Sequence, residues 1–197
     1  AHWSSLPADE TLRRAWESAM ATRTPASPQL TKDFGSLFGS LLHATKFRPE
    51  ISAAMGLIGS CLTFSTTELY DCLMHVLVYL GRSRNLGTTF SAHVPNASKL
   101  TSFADSDWSV TRSTTGFVIM LAGAAIIAVS RRQHNITLSS CEAELIALCD
   151  NAVELLNVLA LLGSLGQEMT EPVEVCTDTI FATASRRRRT RATWTAS

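Results

Sequence analysis

The sequence predicts an α/β sandwich preceded by a helical segment, with three antiparallel strands, a crossover helix and a fourth strand parallel to the first. Three observations carry this reading. Two-residue alternation sets in after Pro95, two capping boxes open apolar runs of helical spacing, and a short apolar strand follows the second of those runs. With 197 residues, 46% hydrophobic and 17% charged, the chain can fill the core of one or two domains.

Residues 1–33 read as a linker-like N-terminal segment, with one short amphipathic stretch, Glu10 to Met20, and a Thr/Pro/Ser part, Thr22 to Gln29. Residues 34–95 read as a helical connection segment. Phe34, Leu37, Phe38, Leu41 and Leu42 recur at helical spacing and form one buried stripe. Pro49 suits a first helical turn, where its missing N–H costs nothing, and Ile51, Met55, Ile58 and Leu62 follow on one face. Ser65-x-x-Glu68 has the form of a capping box, with Leu69, Leu73, Val76, Leu77 and Leu80 behind it and Gly81 and Gly87 to close the helix. So many apolar positions exceed what two isolated helices can bury, so this segment is expected to pack on something else.

Residues 96–178 read as a separate α/β domain. Leu100 to Trp108 alternates, placing Thr101, Phe103, Asp105 and Asp107 on one side of a strand and Ser102 and Ala104 on the other. Gly116 to Leu121 and Ala124 to Ser130 flank Ala122-Gly123 as two further strands. The apolar run Phe117 to Val129 is 13 residues long. A bilayer span needs about 20, so the run reads as buried strands. Ser139-x-x-Glu142 caps a long helix whose apolar positions are Leu145, Leu148, Ala152, Leu155, Leu156, Leu159 and Leu162, ending near Gly163 and Gly166. Val173 to Cys176 is the last strand and runs into Thr177-Asp178, with a right-handed crossover expected.

Net charge is zero, yet Arg186, Arg187, Arg188, Arg189 and Arg191 crowd into residues 179–197. Without them 12 basic residues face 17 acidic ones, about −5, so general attraction to nucleic acid would come mainly from that tail. The five cysteines lack CxxC spacing, which favours free thiols over zinc or disulfides. No basic-then-apolar leader opens the chain, so the expectation is an intracellular protein, cytoplasmic or nuclear, with no membrane partner.

One arrangement of acids could carry chemistry. Asp105 or Asp107 sits on the first strand, Glu144 one turn into the crossover helix, and Asp178 at the end of the following strand. Neighbouring first and fourth strands would let three carboxylates converge, a donor set suited to Mg2+, which prefers oxygen ligands. Two such ions about 3.5–4 Å apart can activate water for phosphodiester cleavage. Glu142 is explained by its capping position. Glu144 shares a helical face with Leu148 and should point toward the sheet, where a carboxylate needs a partner or a metal.

Four motifs then carry a family resemblance: Asp105-Ser106-Asp107-Trp108, Arg112-Ser113-Thr114-Thr115-Gly116, Ser130-Arg131-Arg132-Gln133, and Leu138-Ser139-Ser140-Cys141-Glu142-Ala143-Glu144. Together they resemble the ribonuclease H domain of copia-type retrotransposon Pol polyproteins. Upstream, Gly39-Ser40-Leu41-Leu42, Arg48-Pro49-Glu50-Ile51 and Val78-Tyr79-Leu80 with Asn85-Leu86-Gly87 resemble that family's reverse transcriptase connection. The resemblance implies a ribonuclease H-like fold and a Mg2+-dependent nuclease, with Mn2+ as a substitute, that cuts the RNA strand of RNA/DNA hybrids. It also implies the rest of a reverse transcriptase as partner. Carried over by position, Asp105, Glu144 and Asp178 are the metal-binding acids, with Asp107 the runner-up for the first. Arg112, Ser113 and Thr114, and Arg131, Arg132 and Gln133, are the implied contacts to the hybrid backbone, with solvated polar turns as the alternative.

Residues 179–197 depart from the family pattern. There the third acid is followed by Asn and a helix, then by His-(Ile/Val)-Asp with a fourth carboxylate, whereas here Thr179-Ile180-Phe181 and an arginine run follow Asp178. Trp194 is encoded only by TGG and every Thr195 codon begins AC, so reading one base back from their boundary gives GAC, Asp. Extended over residues 184–197, the same shift permits His-Val-Asp. The expectation is therefore a truncated, frameshifted copy with impaired nuclease activity.

Overall fold

The computed structural model describes residues 9–94, 97–167, 169, 172–177 and 190–194. The chain divides into two compact units, residues 1–87 and 88–197.

The first unit is helical: α1 (Asp9–Thr22), α2 (Pro28–Ala44), α3 (Ser52–Gly59) and α4 (Thr67–Arg82). Residues read as linker contribute to its core. Leu12, Ala15 and Ala19 of α1 are buried with Phe34, Phe38 and Leu41 of α2, Met55 and Ile58 of α3, and Leu69, Leu73 and Val76 of α4. These helices therefore supply partners for much of the apolar surplus that had pointed to an outside surface. Helix α2 also begins earlier than its apolar stripe, because Ser27 accepts a hydrogen bond from the Leu30 amide and Pro28 sits in the first turn. Gly81 is the penultimate residue of α4, which ends at Arg82 with Ser83 as its cap.

At the start of α4 the cap is one residue later than the Ser65-x-x-Glu68 pattern implies. Thr66 is extended (φ −111°, ψ 165°) and accepts from the Leu69 amide at 3.3 Å. Ser65 is buried and its hydroxyl has no hydrogen-bond partner among the described residues. The cap must lie three residues before the amide it satisfies, and the backbone enters the helix at Thr67.

The second unit contains β1 (Thr101–Asp107), β2 (Thr114–Leu121), β3 (Ala124–Arg132), α5 (Ser140–Ser164), β4 (Val173–Thr177) and β5 (Thr190–Trp194). Sheet order is β3-β2-β1-β4-β5. β1–β2 and β2–β3 are antiparallel, while β4 lies parallel to β1 with Phe103 level with Cys176. This is the predicted ribonuclease H-like α/β arrangement of three antiparallel strands, crossover helix and parallel fourth strand. The β2–β3 hairpin turns on Ala122 (φ 52°) and Gly123 (φ 80°), two positive-φ residues of the kind a tight hairpin requires. A fifth strand, β5, pairs antiparallel with β4. It falls within residues 179–197, which carry no strand pattern of alternation.

Helix α5 packs on the face of the sheet that carries Ser102, Ala104, Phe117 and Ile119. The stripe it buries overlaps the leucine stripe expected from the sequence only in part: Leu155 is in the core and Leu148, Leu159 and Leu162 pack against it, while small residues take the closest positions. Ala143, Ala147, Asn151, Leu155 and Val158 face inward, whereas Leu145 is 50% and Leu156 61% exposed. The helix is apolar on nearly every side, so periodicity does not select a face, and small residues allow the closest approach to the strands. By length and composition alone α5 could also cross a bilayer.

Candidate functional site

The C-terminal end of β1 and the first turns of α5 are tied together by buried polar contacts. Ser113 is fully buried, and its hydroxyl shares a hydrogen bond of 2.7 Å with that of Thr137 while accepting from the Ser109 amide at 3.3 Å. The Trp108 indole N–H donates to the Thr137 carbonyl at 3.4 Å. The Gln133 amide N–H donates to the Ser113 carbonyl at 2.8 Å. Three contacts thus fix the loop after β1 to the segment that leads into α5.

Gln133 completes the link from inside. It is 3% exposed, and its side-chain Nε2 donates to Thr115 Oγ1 (3.1 Å) and to the Ala143 carbonyl (2.8 Å). Thr115 is paired with Ser106, which stands between Asp105 and Asp107. The chain of contacts therefore brings the helix turn bearing Glu144 to the same end of the sheet as the two aspartates. Helix α5 is capped locally as expected: Ser139 Oγ accepts from the Glu142 amide at 3.2 Å, and Glu142 accepts from the Leu138 amide at 2.7 Å.

The candidate acids occupy different layers at this end. Asp105 and Asp107 are exposed and, by strand alternation, lie on the face opposite Ser102 and Ala104, hence opposite α5. The Asp105 carboxylate accepts from the Ser106 amide at 2.7 Å. Glu144 is half-buried, with one carboxylate oxygen shielded from solvent, and lies near the inward stripe of α5. Asp178 lies outside the described residues; Thr177, which precedes it, is buried on β4, beside β1. Among the described residues no three His, Cys, Asp or Glu side chains are grouped as a metal site. Carboxylate oxygens are the donor type a hard divalent cation prefers, but among the described residues Glu144 lies on the α5 side of the sheet and Asp105 and Asp107 on the other, so the structure does not bring them into one donor set.

The implied hybrid contacts separate into two groups. Ser113 and Gln133 are buried, and the Ser113 hydroxyl and Gln133 Nε2 bond within the protein, so neither side chain is open to a phosphate in this arrangement. Arg112 is exposed at the loop leading into β2 and Thr114 is half-buried at the strand's start. Arg131 is exposed and pairs with Asp150 at 3.0 Å. Arg132 donates to Thr111 Oγ1 and the Arg112 carbonyl, each at 3.3 Å. Thr137 was not singled out from the sequence, and Thr115 entered only as one member of the Arg112–Gly116 motif, not for the buried link it makes. Their one signal is a hydroxyl beside a capping box or inside a strand, which is also common at the surface.

No family model matches the chain. It is 28% identical over 155 residues to the Retrovirus-related Pol polyprotein from transposon RE1 of Arabidopsis thaliana, covering 77% of this chain and 10% of that protein. To the Retrovirus-related Pol polyprotein from transposon RE2 of the same plant it is 27% identical over 178 residues, covering 83% of this chain and 12% of the other. The chain thus spans about a tenth of the length of these relatives. Among solved structures, a foamy viral protease-reverse transcriptase in complex with double-stranded DNA is similar at 15% identity and a TM-score of 0.40, over 88% of this chain and 28% of that one.

Proposed function

We propose that this chain, which is similar to the Pol polyproteins of copia-type retrotransposons, carries in its second unit a ribonuclease H-like domain that ancestrally cleaves the RNA strand of RNA/DNA hybrids. The observation that carries this reading is the tie between the end of β1 and the start of α5. Asp105, Asp107 and Glu144 are held at one end of the sheet by Trp108, Ser113, Gln133 and Thr137.

In this reading Asp105, Glu144 and Asp178 would hold Mg2+ or Mn2+, with Asp107 the alternative to Asp105. When bound, the ion supplies positive charge that acidifies a water and stabilises the leaving oxygen. The chain's own task is to bring carboxylates together against their mutual repulsion and to present a backbone-binding surface beside them. Arg112 is the best-placed cation for a phosphate. Arg131 is less available, because Asp150 already engages it.

Residues 179–197 motivate a second statement, that cleavage by this chain is weak. Where the family carries Asn, a helix and His-(Ile/Val)-Asp, these residues read Thr179-Ile180-Phe181 and an arginine run. A frameshift after Asp178 accounts for the change, and a genomic copy that preserves the family's helix in the original frame at this locus would refute it. Cleavage itself is tested by incubating the purified chain with an RNA/DNA hybrid at several Mg2+ and Mn2+ concentrations, beside Asp105→Asn. Slow cutting of the RNA strand, lost in the variant, is the expected result. Cutting that persists in Asp105→Asn contradicts the assignment, and no cutting by folded protein makes the chain a non-catalytic remnant.

A further inference from the structure

We infer that Gln133 is a positioning residue for Glu144, acting through the Ala143 carbonyl on the second turn of α5; the inference rests on the metal-site reading only for why that position matters. The side chain of Gln133 is buried at the end of β3, and its Nε2 bridges Thr115 Oγ1 of β2 and the backbone of α5 next to Glu144. Its Oε1 is buried without a hydrogen-bond partner among the described residues.

An apolar side chain of equal length would avoid that buried acceptor, so packing does not account for glutamine here. What the amide adds is a donor with two hydrogens directed at two different elements. A carbonyl inside a helix already accepts from the amide four residues on, and a second donor from a strand fixes that turn against sliding or rotation over the sheet. The Ala143 peptide is joined directly to Glu144, so the constraint falls on the residue whose carboxylate must meet those of β1. Ser113 and Thr137 hold the approach to the helix, and Gln133 holds the helix itself.

The test is Gln133→Met in the full chain, which keeps length and apolar packing and removes both hydrogen bonds. Amide hydrogen exchange and the Glu144 carboxyl carbon resonance are read at one pH without metal. Exchange of amides 143–148 is expected to rise about tenfold or more while amides 155–162 and the first unit stay protected, and the carboxyl resonance to move. Uniform loss of protection would make Gln133 a general stabiliser, and unchanged exchange in 143–148 would show that it holds nothing; either outcome overturns the inference. Adding Mn2+ to the wild-type chain tests the separate metal-site reading. An unresponsive Glu144 resonance there would sink that reading and leave the exchange result standing.

Discussion

Asn151 is fully buried at the middle of α5, and the Ser102 hydroxyl donates to its Oδ1 at 2.7 Å. An amide tolerates that place and a carboxylate does not: Asn151→Asp is expected to destabilise the second unit by about 2 kcal/mol or more in urea unfolding. Burial would raise the new carboxyl's folded pKa above its unfolded value, so the variant should be least impaired in acid and lose stability as pH rises above about 4. Cysteines give a second check at this scale. Cys61 and Cys72 are buried, and burial, then the nearby Asp71 and Glu68 charges, push the Cys72 thiol up, whereas Cys141 and Cys149 are exposed. A thiol reagent at neutral pH should label Cys141 and Cys149 first; early labelling of Cys72 would contradict this packing. Residue roles were only partly legible in the sequence. Glu142 and Ser139 were readable because a cap depends on four adjacent residues. Gln133 and Ser113 were not, because their burial depends on three segments meeting in space.

At the scale of elements, α5 shows what periodicity cannot decide. Leucines lie on several of its sides, and the sheet takes the side of Ala143, Ala147 and Asn151. Ala147→Leu should therefore cost about 1–3 kcal/mol by overpacking. By contrast, Leu145→Ala, at an exposed position, should change stability little. A stability change larger for Leu145→Ala would reverse the assignment of faces. The α4 cap offers a matched pair. Thr66→Ala is expected to cost about 1 kcal/mol, while Ser65→Ala, which removes a buried hydroxyl with no hydrogen-bond partner among the described residues, should be near neutral. Strands were the most legible elements. Alternation around Asp105 and the Ala122-Gly123 turn fix register and face together, whereas β5 has no such pattern.

On the scale of the whole molecule, two units stand behind two sets of motifs, and the crossover topology of the second follows from strand, cap and strand in the right order. The first unit's packing was less legible, since α1 buries Leu12, Ala15 and Ala19 fully, with Trp16 and Met20 packed in part against the core, and its sequence reads as a short amphipathic stretch. If the proposed function holds, the placement of charge along the chain distinguishes two nucleic-acid contacts. Arg112→Ala should lower hybrid affinity and reduce the salt slope by about one, whereas removal of the arginines in 186–191 should lower affinity for any nucleic acid and reduce the slope by several.

The central claim, that acids from β1, α5 and the end of β4 share a divalent cation, is tested most directly by Mn2+ titration of the folded chain followed by electron paramagnetic resonance. Asp105→Asn, Glu144→Gln and Asp178→Asn are compared with wild type, each first shown to keep its circular dichroism. The account predicts saturable binding weakened about tenfold or more by each substitution. Absence of binding in the wild-type chain, or binding that all three variants retain, would contradict it.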